Sequence, residues 1–198
     1  HAAPGTGSVD FRSGLRPDAS ATAPQPTGKN PFGVMLPSQV VRSSQGLQVA
    51  KTMGAVYFRP VSIFLDQWNG TCQECDVALN AGLQLVLTVR NSGPLPTAPP
   101  SDLAAYQRKL SQVLDKYRPA VLAVENEENS ALFYTGTPEE YAAELKAACQ
   151  VAHQKGIPCT NGGLVSAGWR RRSFRALSGC SGRWFMPGGG SGWWVSYG

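Results

Sequence analysis

The sequence predicts an α/β fold of about five parallel strands and four helices. Short apolar runs alternate along the chain with longer segments whose apolar residues recur every three or four positions. This alternation is typical of βαβ units, in which a right-handed helical crossover joins consecutive parallel strands. Polar residues follow the apolar runs, which indicates that the carboxyl ends of the strands form a polar edge. With 198 residues and 42% hydrophobic content, the chain can bury one core of this kind.

The first two strands are expected at residues 31–36 and 55–60. A helix between them is expected to begin near Ser44 and to end at Gly54, because glycine commonly terminates helices. The apolar face of this helix consists of Leu47, Ala50 and Met53. The spacing therefore predicts a first βαβ unit over residues 31–60.

Two further helices flank the third strand, which is expected at residues 83–89. Thr71 and Glu74 have the spacing of a capping box, and Gly82 follows the helix that they begin. The third strand is rich in branched residues, as strands usually are. After it, Asp102 opens a helix with a continuous apolar face. That face consists of Leu103, Tyr106, Leu110, Val113 and Tyr117.

The last predicted helix has the clearest start in the chain. Thr137 suits the N-cap, Pro138 suits the first helical position, and Glu140 completes a capping box. The helix is expected to end at Gly156, and a fifth strand is expected within residues 157–165. The apolar face of this helix consists of Tyr141, Leu145, Ala148 and Ala152.

The fourth strand, residues 121–124, runs directly into an acidic stretch. This stretch consists of Glu125, Asn126, Glu127, Glu128 and Asn129. Side chains alternate along a strand, so Glu125 and Glu127 are expected on one face and Asn126 and Glu128 on the other. Carboxylates this close repel each other, which raises the pKa of at least one and leaves a proton for general acid catalysis. The alternative is a strand that ends in a solvated acidic loop.

The composition divides the chain into three segments. Residues 1–30 are rich in Ala, Pro, Thr, Ser and Gly, which predicts an extended arm. Residues 31–168 contain the predicted strands and helices. Residues 169–198 form a tail rich in Arg, Gly and Trp, without acidic residues or an apolar period. Because GC-rich coding DNA read out of frame gives such a mixture, a frameshift is one hypothesis for the origin of the tail.

The net charge of +5 comes from the tail. Residues 1–168 carry 13 basic and 13 acidic side chains, whereas the tail carries five arginines and no acid. A basic segment with tryptophans can contact phosphates and stack on bases. No nucleic-acid-binding module accompanies it, so nucleic acid is not expected as a partner.

The five cysteines and two histidines form no metal-binding pattern. Cys72 and Cys75 make a single C-x-x-C without a second pair, so we expect no metal and no cofactor. The spacing fits either a disulfide or two free thiols, and we favour two free thiols. The other cysteines, Cys149, Cys159 and Cys180, are expected to be two core residues and one tail thiol. His153 lies late in a helix, where a solvated or structural role is favoured over a catalytic one.

No apolar run approaches the roughly 18 residues that span a bilayer. The chain is therefore expected to be soluble, without a membrane partner. Its start, His1-Ala-Ala-Pro, lacks the charged segment and apolar core of a signal peptide and fits a mature or trimmed terminus. Secretion is left open, and the sequence does not determine the location.

The dipeptide Asn126-Glu127 resembles a motif of the retaining glycoside hydrolases built on the (β/α)8, or TIM, barrel, the clan that includes cellulases and xylosidases. In those enzymes Asn-Glu ends the fourth strand and proline usually follows, where this chain has Glu128. The resemblance implies that Glu127 is the general acid/base and that Asn126 hydrogen-bonds the sugar 2-hydroxyl. Arg59, in Phe-Arg-Pro after the second strand, resembles their active-site arginine. The similarity covers residues 31–165.

The chain departs from this family after the fifth predicted strand. A complete barrel takes about 250 residues, and retaining enzymes need a second carboxylate about 5 Å from the first, which this family supplies from its seventh strand. Residues 169–198 contain no such acid. We therefore expect a partial, truncated TIM barrel. Its open edges, at residues 32–36 and 159–165, would be covered by the tail or would pair in a homo-oligomer.

Two hydrolytic functions are compatible with these residues. The first is hydrolysis of glycosides, with Glu127 as acid/base and Glu125 as a substitute second carboxylate. The second is a redirected hydrolase for activated esters, in which Glu125 or Glu127 activates water, Ser92 or Ser166. The groups expected to stabilise its oxyanion are Arg59, Arg90, Asn91 and Asn126.

The third compatible function is that of a non-catalytic remnant that binds carbohydrate. Trp68, which follows the second strand, could stack on a sugar ring, or it could simply anchor its loop. In all three cases the expected partner is a small molecule or a carbohydrate.

Overall fold

The structure, a computed structural model, describes residues 32–43 and 45–165. Within them six strands form one sheet in the order β1-β2-β4-β5-β6, with β3 beside β4. Every strand pair is parallel. The predicted arm and tail, together with Ser166 and Cys180, lie outside the described residues.

The strands are β1 (Gly33–Val34), β2 (Tyr57–Phe58), β3 (Ile63–Phe64), β4 (Gln84–Arg90), β5 (Val121–Val124) and β6 (Cys159–Asn161). The helices are α1 (Ser38–Arg42), α2 (Gln45–Thr52), α3 (Gln73–Asn80), α4 (Leu103–Tyr117) and α5 (Pro138–Gln154). The predicted α/β class is confirmed: the described chain is a partial barrel of parallel strands with helices between them. The sequence analysis missed α1 and β3, because five and two residues are too short for a periodic pattern.

The core lies between the sheet and the helices. Its largest fully buried side chains come from both layers and include Phe58, Leu85, Leu87, Leu110, Leu114 and Leu122. Strands β4 and β5 are buried along almost their whole length, as expected of parallel strands covered on both faces. Met53 and Leu103, which were predicted on apolar helix faces, are exposed at the helix ends.

Local capping explains where the long helices begin. The Asp102 carboxylate accepts hydrogen bonds from the N–H groups of Ala104 and Ala105, and so starts α4 as predicted. The capping box of α5 is confirmed, with Thr137 and Glu140 bonding each other's backbone N–H.

The start of α3 differs from the prediction. Cys72, not Thr71, is the N-cap, and its sulfur accepts the N–H of Cys75. Glu74 does not reach back to cap the helix, because its carboxylate is buried and accepts the N–H of Val61 at 3.1 Å.

The described residues contain two disulfides, and the first corrects the preference for free thiols at Cys72 and Cys75. Cys72 is bonded to Cys75, and Cys149 is bonded to Cys159. The first bond closes one turn at the start of α3. The second joins α5 to β6, and both of its cysteines are buried in the core, as predicted.

Of the helices in the described part of the chain, none combines the length and the apolar composition required to cross a bilayer.

Candidate functional site

The carboxyl ends of β4 and β5 bring together the polar residues that the sequence singled out. The two strands pair in register, with Val89 opposite Val124. Arg90 and Glu125 therefore leave the sheet side by side, and the backbone N–H of Glu125 donates to the carbonyl of Val89 at 2.9 Å. This edge is where α/β folds place their ligands.

The acidic stretch does not continue the strand, so the predicted alternation of its side chains is wrong. Glu125 and Glu127 both have left-handed backbone conformations, with φ of 61° and 55°. Such angles are uncommon for residues other than glycine and mark a strained turn. The turn points the side chains of the stretch in different directions, and Glu125 and Glu127 do not share a strand face.

A close contact from the neighbouring strand helps to hold this turn. Gly162 follows β6, and a Cβ atom at this position would lie 2.0 Å from the carbonyl oxygen of Glu125. It would also lie 2.7 Å from the Cα atom of Asn126. Only glycine allows the two backbones to approach this closely.

Glu125 lies inside the protein. It is 0% exposed, and both carboxylate oxygens are hydrogen-bonded. One accepts the backbone N–H of Asn91 at 2.8 Å, and the other accepts the hydroxyl of Thr97 at 2.7 Å. Burial raises the pKa of Glu125, while these bonds and the charge of Arg90 oppose the rise.

Glu144, on α5, forms a buried pair with Glu125. It is also 0% exposed, and it accepts the hydroxyl of Tyr134 at 2.9 Å. Burial, followed by the charge of Glu125, raises the pKa of Glu144 to about 9. The rise favours the neutral form of Glu144 beside the carboxylate of Glu125. The second oxygen of Glu144 is buried without a hydrogen-bond donor.

Glu128 points toward α5 and β6. One oxygen accepts the side-chain N–H of Asn161 at 3.3 Å, and the other is buried without a donor. The pKa of Glu128 is raised to about 7, and burial is the largest cause of the rise. The hydroxyl of Tyr141 donates to the carbonyl of Val124, and the hydrogen bonds of Glu128 to Asn161 and Tyr141 oppose the rise in its pKa.

Arg59 fixes the orientation of Asn126. Its Nη2 donates to Asn126 Oδ1 at 3.0 Å, and its Nε donates to the hydroxyl of Thr88 at 2.9 Å. Because the amide oxygen of Asn126 accepts from Arg59, the amide N–H groups point elsewhere and can donate to a ligand. Burial, together with the nearby charge of Arg90, lowers the pKa of Arg59.

Arg90 is buried between two aromatic rings. Its guanidinium carbon lies 5.9 Å from the ring centres of both Phe64 and Phe133, and its Nε donates to the hydroxyl of Ser62. Burial lowers the pKa of Arg90, whereas the charges of Glu125 and Glu127 raise it. Arg90 therefore faces both carboxylates from inside the protein.

Glu127 is half-buried at this edge. Its backbone N–H donates to the carbonyl of Gly163 at 2.9 Å, which ties the turn to the segment after β6. Of Glu125 and Glu127, the two residues predicted to be catalytic, only Glu127 is accessible to solvent.

The remaining predicted residues lie apart from Glu127 or use their side chains elsewhere. The side-chain N–H of Asn91 donates to the carbonyl of Ala98, and the hydroxyl of Ser92 accepts the N–H of Ala98. Trp68 packs against the core and lines a cavity of about 320 Å³ with the start of α3. The residues lining that cavity do not include Asn126 or Glu127. His153 is exposed on α5, as predicted.

Six residues that hydrogen-bond the groups of this edge were not predicted to take part in the site: Thr88, Thr97, Tyr134, Tyr141, Glu144 and Asn161. Glu144 could have been found, because it lies three residues after Tyr141 on the apolar face of α5. An ionisable residue on a buried helix face calls for a partner. Thr97 gives no comparable signal, because its loop has no periodic pattern.

Over residues 32–43 and 45–165, no three His, Cys, Asp or Glu side chains are grouped in a way that could hold a metal ion.

Comparisons with known proteins find similarity in structure only. No protein-family model matches the sequence, and a search of curated proteins gives no match. A glucosidase from Croceicoccus marinus is 12% identical with a TM-score of 0.49, over 68% of this chain and 36% of its own. The virulence factor SghA, solved with its substrate analog salicin, is 17% identical with a TM-score of 0.38, over 61% of this chain and 36% of its own.

A similarity of the same kind extends to the HMG-CoA lyase from Brucella melitensis. It is 16% identical with a TM-score of 0.40, over 75% of this chain and 65% of its own. At these identities and TM-scores the neighbours assign neither a family nor a chemistry to the chain. The chain spans little more than a third of the glucosidase and of SghA.

Proposed function

We propose that the edge formed by β4 and β5 is a hydrolytic site of glycosidase type, with Glu127 as the general acid/base. The observation that carries the proposal is the hydrogen bond from Arg59 to Asn126 Oδ1 at 3.0 Å. This bond leaves the amide N–H groups of Asn126 free to donate to a substrate hydroxyl next to Glu127. An oriented donor beside an accessible carboxyl is what acid-catalysed cleavage of a glycosidic bond needs.

The proposed proton transfer uses the accessible carboxyl. Glu127 donates a proton to the leaving-group oxygen as the glycosidic C–O bond breaks. In the hydrolytic step, water adds to the sugar carbon and returns a proton to Glu127. Asn126 holds the sugar by a hydroxyl, and Arg59 holds Asn126.

Glu125 has a different role in this proposal. Its oxygens are occupied by Asn91 and Thr97, and it is fully buried. It therefore stabilises the strained turn instead of contacting substrate. The proposal assigns the acid/base alone and leaves the second carboxylate of a glycosidase unassigned.

Ester hydrolysis is the second candidate, favoured by the proximity of Arg59 and Arg90. Arg90 is close enough to Arg59 to lower its pKa. Two guanidinium groups at one strand edge could stabilise the oxyanion formed when Glu127 activates water against an ester. The hydroxyl of Ser92 already accepts a backbone N–H, which makes water the better nucleophile.

The test is hydrolysis of p-nitrophenyl glycosides and p-nitrophenyl esters by the wild type, Glu127→Gln and Glu139→Gln. Glu139 is an exposed carboxylate in the first turn of α5 and serves as a matched control. Loss of general acid/base catalysis typically costs about 100-fold or more. We expect glycoside hydrolysis to fall by about that factor in Glu127→Gln and to be unchanged in Glu139→Gln.

Glycoside hydrolysis that survives Glu127→Gln would overturn the assignment. Cleavage of esters alone, lost in Glu127→Gln, would replace the first candidate with the second. If neither substrate is cleaved and sugars quench tryptophan fluorescence saturably, the chain is a carbohydrate-binding remnant.

A further inference from the structure

The disulfide between Cys72 and Cys75 differs in its surroundings from the other disulfide. Cys72 is half-buried and lines the cavity of about 320 Å³, whereas Cys75 is 0% exposed. Cys149 and Cys159 are both buried, at 7% and 8% exposed. A thiol in solution can therefore reach Cys72. It can reach Cys149 or Cys159 only after the structure around them opens locally.

The start of α3 also supplies groups that favour a thiolate at Cys72. The backbone N–H of Cys75 donates to the sulfur of Cys72 at 3.2 Å, and the positive end of the helix dipole lies at the same place. Arg42 lines the same cavity. Glu74 and Asp76 oppose this effect, although the carboxylate of Glu74 is held by the N–H of Val61.

Opening this disulfide leaves the rest of the fold connected. Cys72 and Cys75 lie within one turn of a single element. Cys149 and Cys159, in contrast, join α5 to β6, and their bond crosses between layers of the fold. Reversible exchange requires an accessible bond whose reduction does not unfold the protein.

We propose that Cys72 and Cys75 form a thiol–disulfide exchange site for low-molecular-weight thiols and their disulfides. A thiolate attacks the sulfur of Cys72, a mixed disulfide forms, and Cys75 leaves as a thiolate that takes up a proton. A second thiol then attacks the mixed disulfide. Two thiols are oxidised to one disulfide while the protein disulfide is reduced to two thiols, and the reverse reaction restores it.

The first test uses the full chain with Cys180→Ser, incubated with reduced and oxidised glutathione at varied ratios. Free thiols are alkylated with iodoacetamide, and mass spectrometry locates them. We expect Cys72 to be alkylated at least about tenfold faster than Cys149 or Cys159. We also expect an equilibrium constant for reduction that is at least tenfold larger, which corresponds to about 30 mV for a two-electron couple.

Matched single-thiol variants separate access from simple reducibility. Cys75→Ser leaves the accessible Cys72, and Cys72→Ser leaves the buried Cys75. We expect Cys75→Ser to form the mixed disulfide with glutathione at least about tenfold faster than Cys72→Ser, with the same circular dichroism spectrum in both variants. Equal rates in the two variants would overturn the proposal. So would reduction of both disulfides together, only at urea concentrations that unfold the chain.

Discussion

The pKa of Glu128 predicts how the stability of the protein depends on pH. Burial raises this pKa from 4.5 to about 7. Between these two values the unfolded chain loses the proton of Glu128 while the folded chain keeps it. The unfolded state then binds fewer protons than the native state, so the free energy of unfolding falls as pH rises.

The magnitude follows from the two pKa values. One pH unit corresponds to about 1.36 kcal/mol, so the contribution of Glu128 falls by about 3 kcal/mol between pH 4.5 and pH 8. Glu128→Gln has the size of the neutral acid and cannot ionise. Its amide oxygen can still accept the side-chain N–H of Asn161. We expect the variant to match the wild type near pH 4.5 and to be about 3 kcal/mol more stable at pH 8.

Urea unfolding at pH 4.5, 6, 7 and 8 measures these differences. Glu139→Gln is the control, because it removes an exposed carboxylate from the same helix, and its profile should run parallel to that of the wild type. The expectation is wrong if the difference in free energy of unfolding between Glu128→Gln and the wild type changes by less than about 0.5 kcal/mol between pH 4.5 and pH 8.

Two further predictions concern the turn after β5. Thr97→Val removes a hydrogen bond to the buried Glu125, and hydrogen bonds to charged groups contribute about 1.5–3 kcal/mol. Urea unfolding should show that the free energy of unfolding falls by an amount in that range. Thr97→Ser keeps the hydroxyl and should largely retain the stability of the wild type. Gly162→Ala introduces a Cβ 2.0 Å from the carbonyl oxygen of Glu125, and overpacking of this kind costs about 1–3 kcal/mol. Gly70→Ala, at a half-buried glycine where a Cβ meets nothing within 4 Å but φ is +94°, measures the cost of backbone strain without overpacking.

The sequence was sufficient for the parts of the fold that depend on local pattern. The start of α5 was predicted because Thr137, Pro138 and Glu140 act within one turn. Strand β4 was predicted because its apolar run is long and bounded by turns. The start of α3 was wrong because the carboxylate of Glu74 is held by Val61, 13 residues away, and a local pattern does not show such a partner.

The candidate site was predicted only in outline, since its details depend on backbone conformation and burial. Spacing placed Asn126 and Glu127 at the end of a strand, which is where they lie. The alternation of a strand also predicted that the side chains of Glu125 and Glu127 share one face. That prediction requires the strand to continue past Val124. The left-handed φ of Glu125 ends the strand there, and the carboxylate turns inward to meet Thr97 and Glu144.

We propose that the ligand of this edge is a neutral molecule and not an anion. Arg59 and Arg90 are two buried positive groups, and alone they would form an anion site. Hydrogen bonds from the N–H of Asn91 and the hydroxyl of Thr97 hold the carboxylate of Glu125 in place. The negative charges of Glu125 and Glu127 both raise the pKa of Arg90. Burial and the charge of Glu125 raise the pKa of Glu144, which favours its neutral form. Because an anion would have to displace carboxylates that the protein itself holds in place, a hydroxyl-rich neutral molecule is the better match for the free N–H groups of Asn126.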